Sequence, residues 1–507
     1  MNVMLIHPYI KVREVETYLS EPLGLLCLAS YLDTIFKNTV TVSILDLYAL
    51  GAMSPEKQGE FFCLGINDPD FISDELKKSK PDLIGITCNF TAYAQDSLEV
   101  ANIVKTITPG VPIIIGGAHP TIEAFSILQN CKSIDYVAKG KGEMILEDLI
   151  RALRGEMKIE DVDGLVFRKG GEIIVNNLRS LIKDLDVLPL PGRHYIDIEK
   201  YNYFNKETVW YARKKPVATI MTSRGCPYDC VFCSTKVVWT RRWRFRGLEN
   251  VFKEIRMLVE DYGIKEIVIN DDQFLTRKKR IHESCDYFIE NKMDVCFSVD
   301  SGISIWLADK ELLVKMKKAG FYSLRFPIES GCKKTLEYIK KPVDLDQAKI
   351  LIEEANKLGF WTSSNIIIGF PHETKEQVMK SINYAYDSTL DFTSFIIAKP
   401  NAGSDMYEDF RREGLLEKVV VRGSDFYRSD YDTIYLTAKE LNDIANEAAS
   451  RWFIHKLLFY IKPRNFYNYL LPKAGSFNDF LYLMGTLKNS VFQRALWIVG
   501  ETLIRSC

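Results

Sequence analysis

The chain carries almost no net charge: 66 Lys and Arg stand against 67 Asp and Glu, a formal −1. A general nucleic-acid binder needs a basic excess, so that class is set aside. No uninterrupted apolar run reaches about 18 residues, so no membrane-spanning helix is expected. The start, Met1-Asn2-Val3-Met4-Leu5-Ile6-His7-Pro8, lacks the basic opening and long apolar stretch of a signal peptide. The eleven cysteines are odd in number and irregularly spread, which makes a poor disulfide framework. A reducing, cytoplasmic setting is the expectation.

What is present supports several cores. A length of 507 residues suggests roughly two to four domains, and a hydrophobic share of 47% can fill them. The most informative residues are Cys226, Cys230 and Cys233, spaced Cys-x3-Cys-x2-Cys in the run Arg224-Gly225-Cys226-Pro227-Tyr228-Asp229-Cys230-Val231-Phe232-Cys233. Three thiolates on one tight loop can hold three irons of a 4Fe–4S cluster and leave the fourth open to a small molecule. A structural zinc site wants four ligands, often as two pairs, and the nearest histidines, His194 and His282, are far along the chain. Buried structural thiols are the other bland reading. The spacing and neighbours resemble the radical S-adenosylmethionine superfamily, whose open iron binds the methionine part of that cofactor.

Ahead of the triplet, residues 3–6, 41–47, 82–87 and 111–115 read as buried strands, and residues 21–32, 71–78 and 98–105 as helices. That alternation predicts an α/β fold, a doubly wound Rossmann-like sheet with ligands beyond the carboxyl ends of its strands. Those ends are small and polar: Thr87 and Asn89, Gly116 and Gly117, Gly140, Gly142 and Glu143. The helix start Glu21-Pro22-Leu23-Gly24, the turn Gly116-Gly117-Ala118-His119-Pro120 and the Gly140-x-Gly142-Glu143 segment resemble the cobalamin-binding domain that precedes the barrel in one large radical S-adenosylmethionine subfamily. The resemblance implies bound cobalamin, with Thr87, Asn89, Gly116, Gly117, His119, Gly140, Gly142 and Glu143 lining its pocket. The loop 9–20 holds no histidine, so cobalamin is expected without a histidine lower ligand. The competing reading is a flavodoxin-like domain that has lost its ligand or only docks.

Residues 156–215 read as a connector containing a hairpin at 163–177. From residue 216 strand and helix alternate six times, with strands at 217–222, 266–270, 295–300, 323–328, 361–368 and 392–399. This fits a partial (β/α)6 barrel over residues 216–420, with its chemistry at the carboxyl ends of the strands. The superfamily resemblance implies that Asp271, Asp272 and Gln273 meet the cofactor's amino group. It likewise implies that Ser298, Asp300, Glu329 and Ser330 line its binding site and that Phe232 lies against adenine. Gly369-Phe370-Pro371-His372-Glu373-Thr374 resembles a family turn but reads more as architecture, a helix start with its own capping groups. The run Arg241-Arg242-Trp243-Arg244-Phe245-Arg246 reads either as a grip on an anion or as a solvated loop.

Residues 421–507 read as a C-terminal helical cap. From residue 451 onward the chain carries eight Lys and Arg against two acids. The alternative is an amphipathic surface that touches anionic lipid or a hydrophobic substrate. The resemblance spans about residues 1–420 and implies a cobalamin-dependent radical S-adenosylmethionine methyltransferase with a 4Fe–4S cluster. Its substrate would be a small molecule, peptide or lipid, and its reductant a flavodoxin or ferredoxin. The rivals are a ring-forming radical enzyme of the same architecture and a non-catalytic cobalamin or redox sensor.

Overall fold

The apolar runs of the first half become a parallel sheet because helices cover both faces. The computed structural model describes residues 1–13, 21–51, 54–201, 212–416 and 427–474. Five parallel strands lie in the order Thr41–Asp46, Asn2–His7, Leu83–Thr87, Ile113–Gly116 and Tyr136–Ala138. About two thirds of their residues are buried and only Thr41 is exposed, as a sheet covered on two faces requires. One apolar core lies on each side of the sheet.

The hairpin expected inside a connector belongs to this sheet. Strands Leu165–Lys169 and Glu172–Val175 extend it antiparallel beyond Tyr136–Ala138, giving seven strands. Leu165, Val166 and Phe167 are buried there. An isolated hairpin has no core of its own, so its apolar residues recruit a neighbouring sheet. The connector is therefore shorter than the sequence implied.

The second sheet has six parallel strands in sequential order: Val217–Ile220, Glu266–Ile269, Cys296–Val299, Phe321–Arg325, Trp361–Ile368 and Phe392–Ile397. Helices such as Leu248–Glu260, Lys278–Glu290, Leu345–Lys357 and Lys375–Tyr386 pack outside them around the largest core. Thr374 caps the last of these helices through a reciprocal box with Gln377. Glu373 accepts from the Gly369 and Phe370 amides and from Thr335 Oγ1, so the Gly369-to-Thr374 turn does work as architecture.

The C-terminal cap is a 24-residue helix, Ala438–Ile461, started by a Thr437–Glu440 capping box. It runs along the last strand of the sheet. Leu441 lies against Gly369 at the carboxyl end, Trp452 meets Phe395 midway, and Tyr460 bonds Asp391 just before the strand begins. It thus covers the open edge of the barrel, where an unpaired strand would otherwise meet solvent. Lys473 is buried beneath it, 3.2 Å from Asp391 and 2.5 Å from Asn356 Oδ1. Of the helical cap expected over residues 421–507, residues 421–426 and 475–507 lie outside the described residues.

Glu266 opens the second barrel strand and is fully buried. Its carboxylate accepts from the Lys214 amide at 2.9 Å and the Tyr322 hydroxyl at 2.6 Å. Burial pushes its pKa up to about 7. The folded chain holds this proton at pH values where the unfolded chain has released it. The group's contribution to stability is therefore full below its ordinary value and is lost as pH rises through about 7. Glu373 titrates in the same direction. The variant Glu266→Gln is expected to flatten the fall in melting temperature between about pH 5 and about pH 8, read by calorimetry.

Candidate functional site

The cysteine loop leaves the first barrel strand and is held at its base by hydrogen bonds. Ser223–Arg224 pairs antiparallel with Arg244–Phe245. Gly225 follows at φ +94°, and a Cβ there would fall 2.6 Å from the Arg242 carbonyl, so only glycine admits the turn. Asp271 accepts from the Thr222 amide at 2.5 Å, the Thr222 hydroxyl at 2.6 Å and the Ser223 hydroxyl at 2.7 Å. Asp272 accepts from the Gly225 amide at 2.9 Å. The far end of the loop is fixed by the Val231 amide on Ile339 O and the Met406 amide on Val231 O.

Cys226, Cys230 and Cys233 sit partly exposed on this loop, with the Cys233 amide turned back to Cys230 O at 3.0 Å. Burial pushes the Cys226 thiol up to about 11, and Cys233 and Cys230 push it the same way. Among the described residues no three His, Cys, Asp or Glu side chains converge as for a single metal ion. A cluster takes each thiolate on a different iron, so its sulfurs need not meet at one point. Beside the loop, Lys341 is buried 3.1 Å from Glu329 and over the Phe232 ring, with Cys230 and Cys226 adding to the field that holds it charged. Glu329 has φ +66°, an unusual backbone state for a side chain of its size.

A cavity of about 670 Å3 lies between the two sheets. Its barrel wall includes Met221, Arg224, Ser234, Thr235, Asp271 and Asp272. Its other wall is the carboxyl edge of the first sheet: Thr87, Asn89, Gly116, Gly117, Gly140, Gly142 and Glu143 all face it. From there it runs inward as an apolar slot between the sheet and two helices, walled by Leu5, Leu28, Ile114, Ala138 and Leu146, with Gly85 as floor. Gly85 sits inside a buried strand, and a Cβ there would come 2.8 Å from Leu5 Cδ2. A strand-interior glycine marks the close approach of something else. Gly117 is at φ +126°, and a Cβ would strike Cys88 O at 2.4 Å.

The two walls are locked together. Arg224 pairs with Glu143 at 2.7 Å, both nearly buried. Lys141 donates to Val238 O at 2.8 Å, with its ammonium 3.1 Å above the Trp239 ring centroid. Burial pushes Lys141 down to about 7, and Arg244 and Arg224 push the same way. The fully buried Arg193 ties Glu21 at 3.3 Å to Glu254 at 2.9 Å and donates to Thr219 O. These pairs fix the separation of the two sheets.

Several expected positions stand elsewhere. His119 is not part of the cavity wall: it is buried, its Nδ1 is 3.2 Å from Thr91 Oγ1, and burial pushes its pKa down to about 4. Asp271 has its carboxylate taken up by the loop base, so it braces the loop and leaves Asp272 as the barer acid. Gln273 gives its amide to Ser304 Oγ at 2.6 Å. Ser330 bonds Ser381 and the Cys332 amide, and Ser298 and Asp300 bond each other against Arg325. None of these four lines the cavity. Of the basic run, Arg241 and Arg242 are exposed as in a solvated loop, Arg246 is buried against Glu254, and Arg244 donates to Ile182 O while, among the described residues, its Nε and Nη2 are buried without a hydrogen-bond partner. His7 lines the cavity with Nδ1 3.0 Å from Asp46, which also bonds Tyr201.

The residues fit both implied groups. Three thiols stand on one braced loop. The glycine-edged wall and apolar slot have the shape for a planar ring with a trailing nucleotide. Glu21 faces the same cavity with its Oε2 3.3 Å from Arg193, and among the described residues neither of its oxygens has a hydrogen bond.

A doubly wound domain before a partial barrel, joined across one cavity beside a cysteine triplet, defines an enzyme that pairs a corrin site with an open-iron cluster. Residues 220–385 match the Radical SAM superfamily and residues 12–150 the B12 binding domain. The chain is 32% identical over 337 residues to an uncharacterized methyltransferase, PH0819, of Pyrococcus horikoshii, covering 66% of this chain and 71% of that protein. It is 29% identical over 427 residues to cytidylyl-2-hydroxyethylphosphonate methyltransferase of Streptomyces wedmorensis, covering 78% and 79%. Its fold is like that of OxsB, a cobalamin-dependent S-adenosylmethionine radical enzyme, with a TM-score of 0.69 at 18% identity over 89% of this chain. The chain spans 66% of the OxsB chain, just under two thirds of its length. The chain belongs to the radical S-adenosylmethionine superfamily, in the branch with an N-terminal B12-binding domain. It is an enzyme whose cofactors are a 4Fe–4S cluster, S-adenosylmethionine and cobalamin.

Proposed function

We propose that the chain is a methyltransferase acting on an unactivated carbon or phosphorus centre of a small-molecule, peptide or lipid substrate. The observation that carries this reading is a cavity that both domains wall. When bound, the cluster with S-adenosylmethionine supplies a carbon-centred radical and cobalamin supplies a transferable methyl group. Cys226, Cys230 and Cys233 would hold the cluster, while Asp271 and Asp272 keep their loop rigid. Asp272 would meet the cofactor's ammonium, and Glu329, outside the cavity lining and paired with Lys341 beside the cysteine loop, would meet its ribose. The Glu143–Arg224 and Lys141–Trp239 contacts keep the two reacting sites at one distance, which is what a transfer between them demands. The apolar slot keeps water from the corrin side. A flavodoxin or ferredoxin would deliver the electron.

The test uses reconstituted holoprotein under anaerobic reduction with methyl-deuterated S-adenosylmethionine. About one equivalent of S-adenosylhomocysteine per cobalt is expected before any substrate is added. 5′-Deoxyadenosine without S-adenosylhomocysteine would return the ring-forming reading. Neither product would return the sensor.

A further inference from the structure

The long C-terminal helix has two faces, and among the described residues only one has a partner. Trp452 and Lys456 face inward and are buried. Ile454, Leu457, Leu458 and Ile461 recur at the spacing of one helical stripe and are 43 to 66% exposed. The chain then folds beneath the barrel, where Phe466, Tyr467 and Leu471 are exposed as well. Seven large apolar side chains bare on one terminal element exceed what a protein in free solution usually shows.

Within the stripe's own segment the charge has one sign, although Glu447, Glu353 and Asp387 on neighbouring stretches reach Arg451, Tyr469 and His455. Between Ala448 and Ala474 there is no Asp or Glu. Arg451, Lys462 and Arg464 are exposed along this stretch, and among the described residues Arg451 alone of the three is paired, to Glu447. Lys456 and Lys473 are buried and take no part. An apolar stripe edged by cations complements a surface that is apolar within and anionic at its rim. No described helix is long and apolar enough to cross a membrane, so the contact would be peripheral.

We propose that this face docks on an anionic lipid surface. It lies at the end of the barrel away from the cavity: Tyr460 meets Asp391, and Lys473 meets Asn356, before the last two strands begin. Docked there, the enzyme keeps its cavity open to water, and the lipid serves to hold the enzyme. The proposal does not depend on the methyl-transfer reading, because its test involves no turnover.

The test is flotation of the full chain with two kinds of vesicle: phosphatidylcholine alone, and equal parts phosphatidylcholine and phosphatidylglycerol. Binding to the anionic vesicles is expected, weakening at high salt as screening grows. The double variant Leu458→Glu with Ile461→Glu is expected to bind about tenfold or more less tightly. Both positions are exposed, so iron and cobalt content and circular dichroism should match the parent. Equal flotation of parent and variant, or none of either, would overturn the proposal. So would a parent dimer that the variant turns to monomer in sedimentation, which would give the face to a second copy.

Discussion

Replacing Cys230 with alanine is expected to strip most of the iron and lower the anaerobic cleavage of S-adenosylmethionine by at least about a thousandfold. The loop offers no substitute ligand. Thr235 and Ser234 are hydroxyls, and Asp229, the neighbouring acid, is already engaged by Lys236, Arg241 and Lys340. Cobalt uptake should be unchanged, because the corrin wall lies on another sheet. Iron analysis and 5′-deoxyadenosine yield read the two effects separately. Retention of full iron and cleavage in Cys230→Ala would remove the cluster from these three cysteines.

Replacing Gly85 with leucine is expected to do the reverse: cobalt occupancy falls by at least about tenfold while iron stays. A Cβ at Gly85 already meets Leu5 Cδ2 at 2.8 Å, and the remaining atoms can only enter the slot between Ile114, Ala138 and Leu146. Filling an apolar slot need not unfold the domain and can stabilise it. Unchanged melting with lost cobalt is the result that separates a blocked site from a damaged fold. Unchanged cobalt would show that nothing has to enter the slot.

The parts of the site that were legible are those a short segment defines by itself. Three cysteines on one loop are chemistry at fixed spacing, and the strand-end glycines Gly116, Gly117, Gly140 and Gly142 are a backbone signal. All four glycines face the cavity. The slot was missed because it is made by four strands and two helices. Its one local trace was Gly85 inside the run Leu83-Ile84-Gly85-Ile86. The domain lock was missed for the same reason, since Arg224 and Glu143 are far apart in sequence. Lys341 lay in a Lys-Lys-Pro run that reads as solvated surface, yet it is buried against Glu329. Asp271 has a second role that no local pattern showed: it lines the cavity, but its Thr222 and Ser223 partners also make it a brace for the loop. Most of the parallel strands were legible because buried parallel strands are apolar runs, but the three-residue strand Tyr136–Ala138 was too short to show one. The hairpin's membership of the first sheet was not, since pairing across domains leaves no local pattern.

The central claim is that one cavity serves two metal cofactors. The most direct measurement is metal content with an ultraviolet–visible spectrum, on protein purified without oxygen, supplied with cobalamin and reconstituted with iron and sulfide. The account predicts about four irons and about one cobalt per chain, with both chromophores present. Iron without cobalt, in a well-folded chain, would contradict it and reduce the first domain to a scaffold.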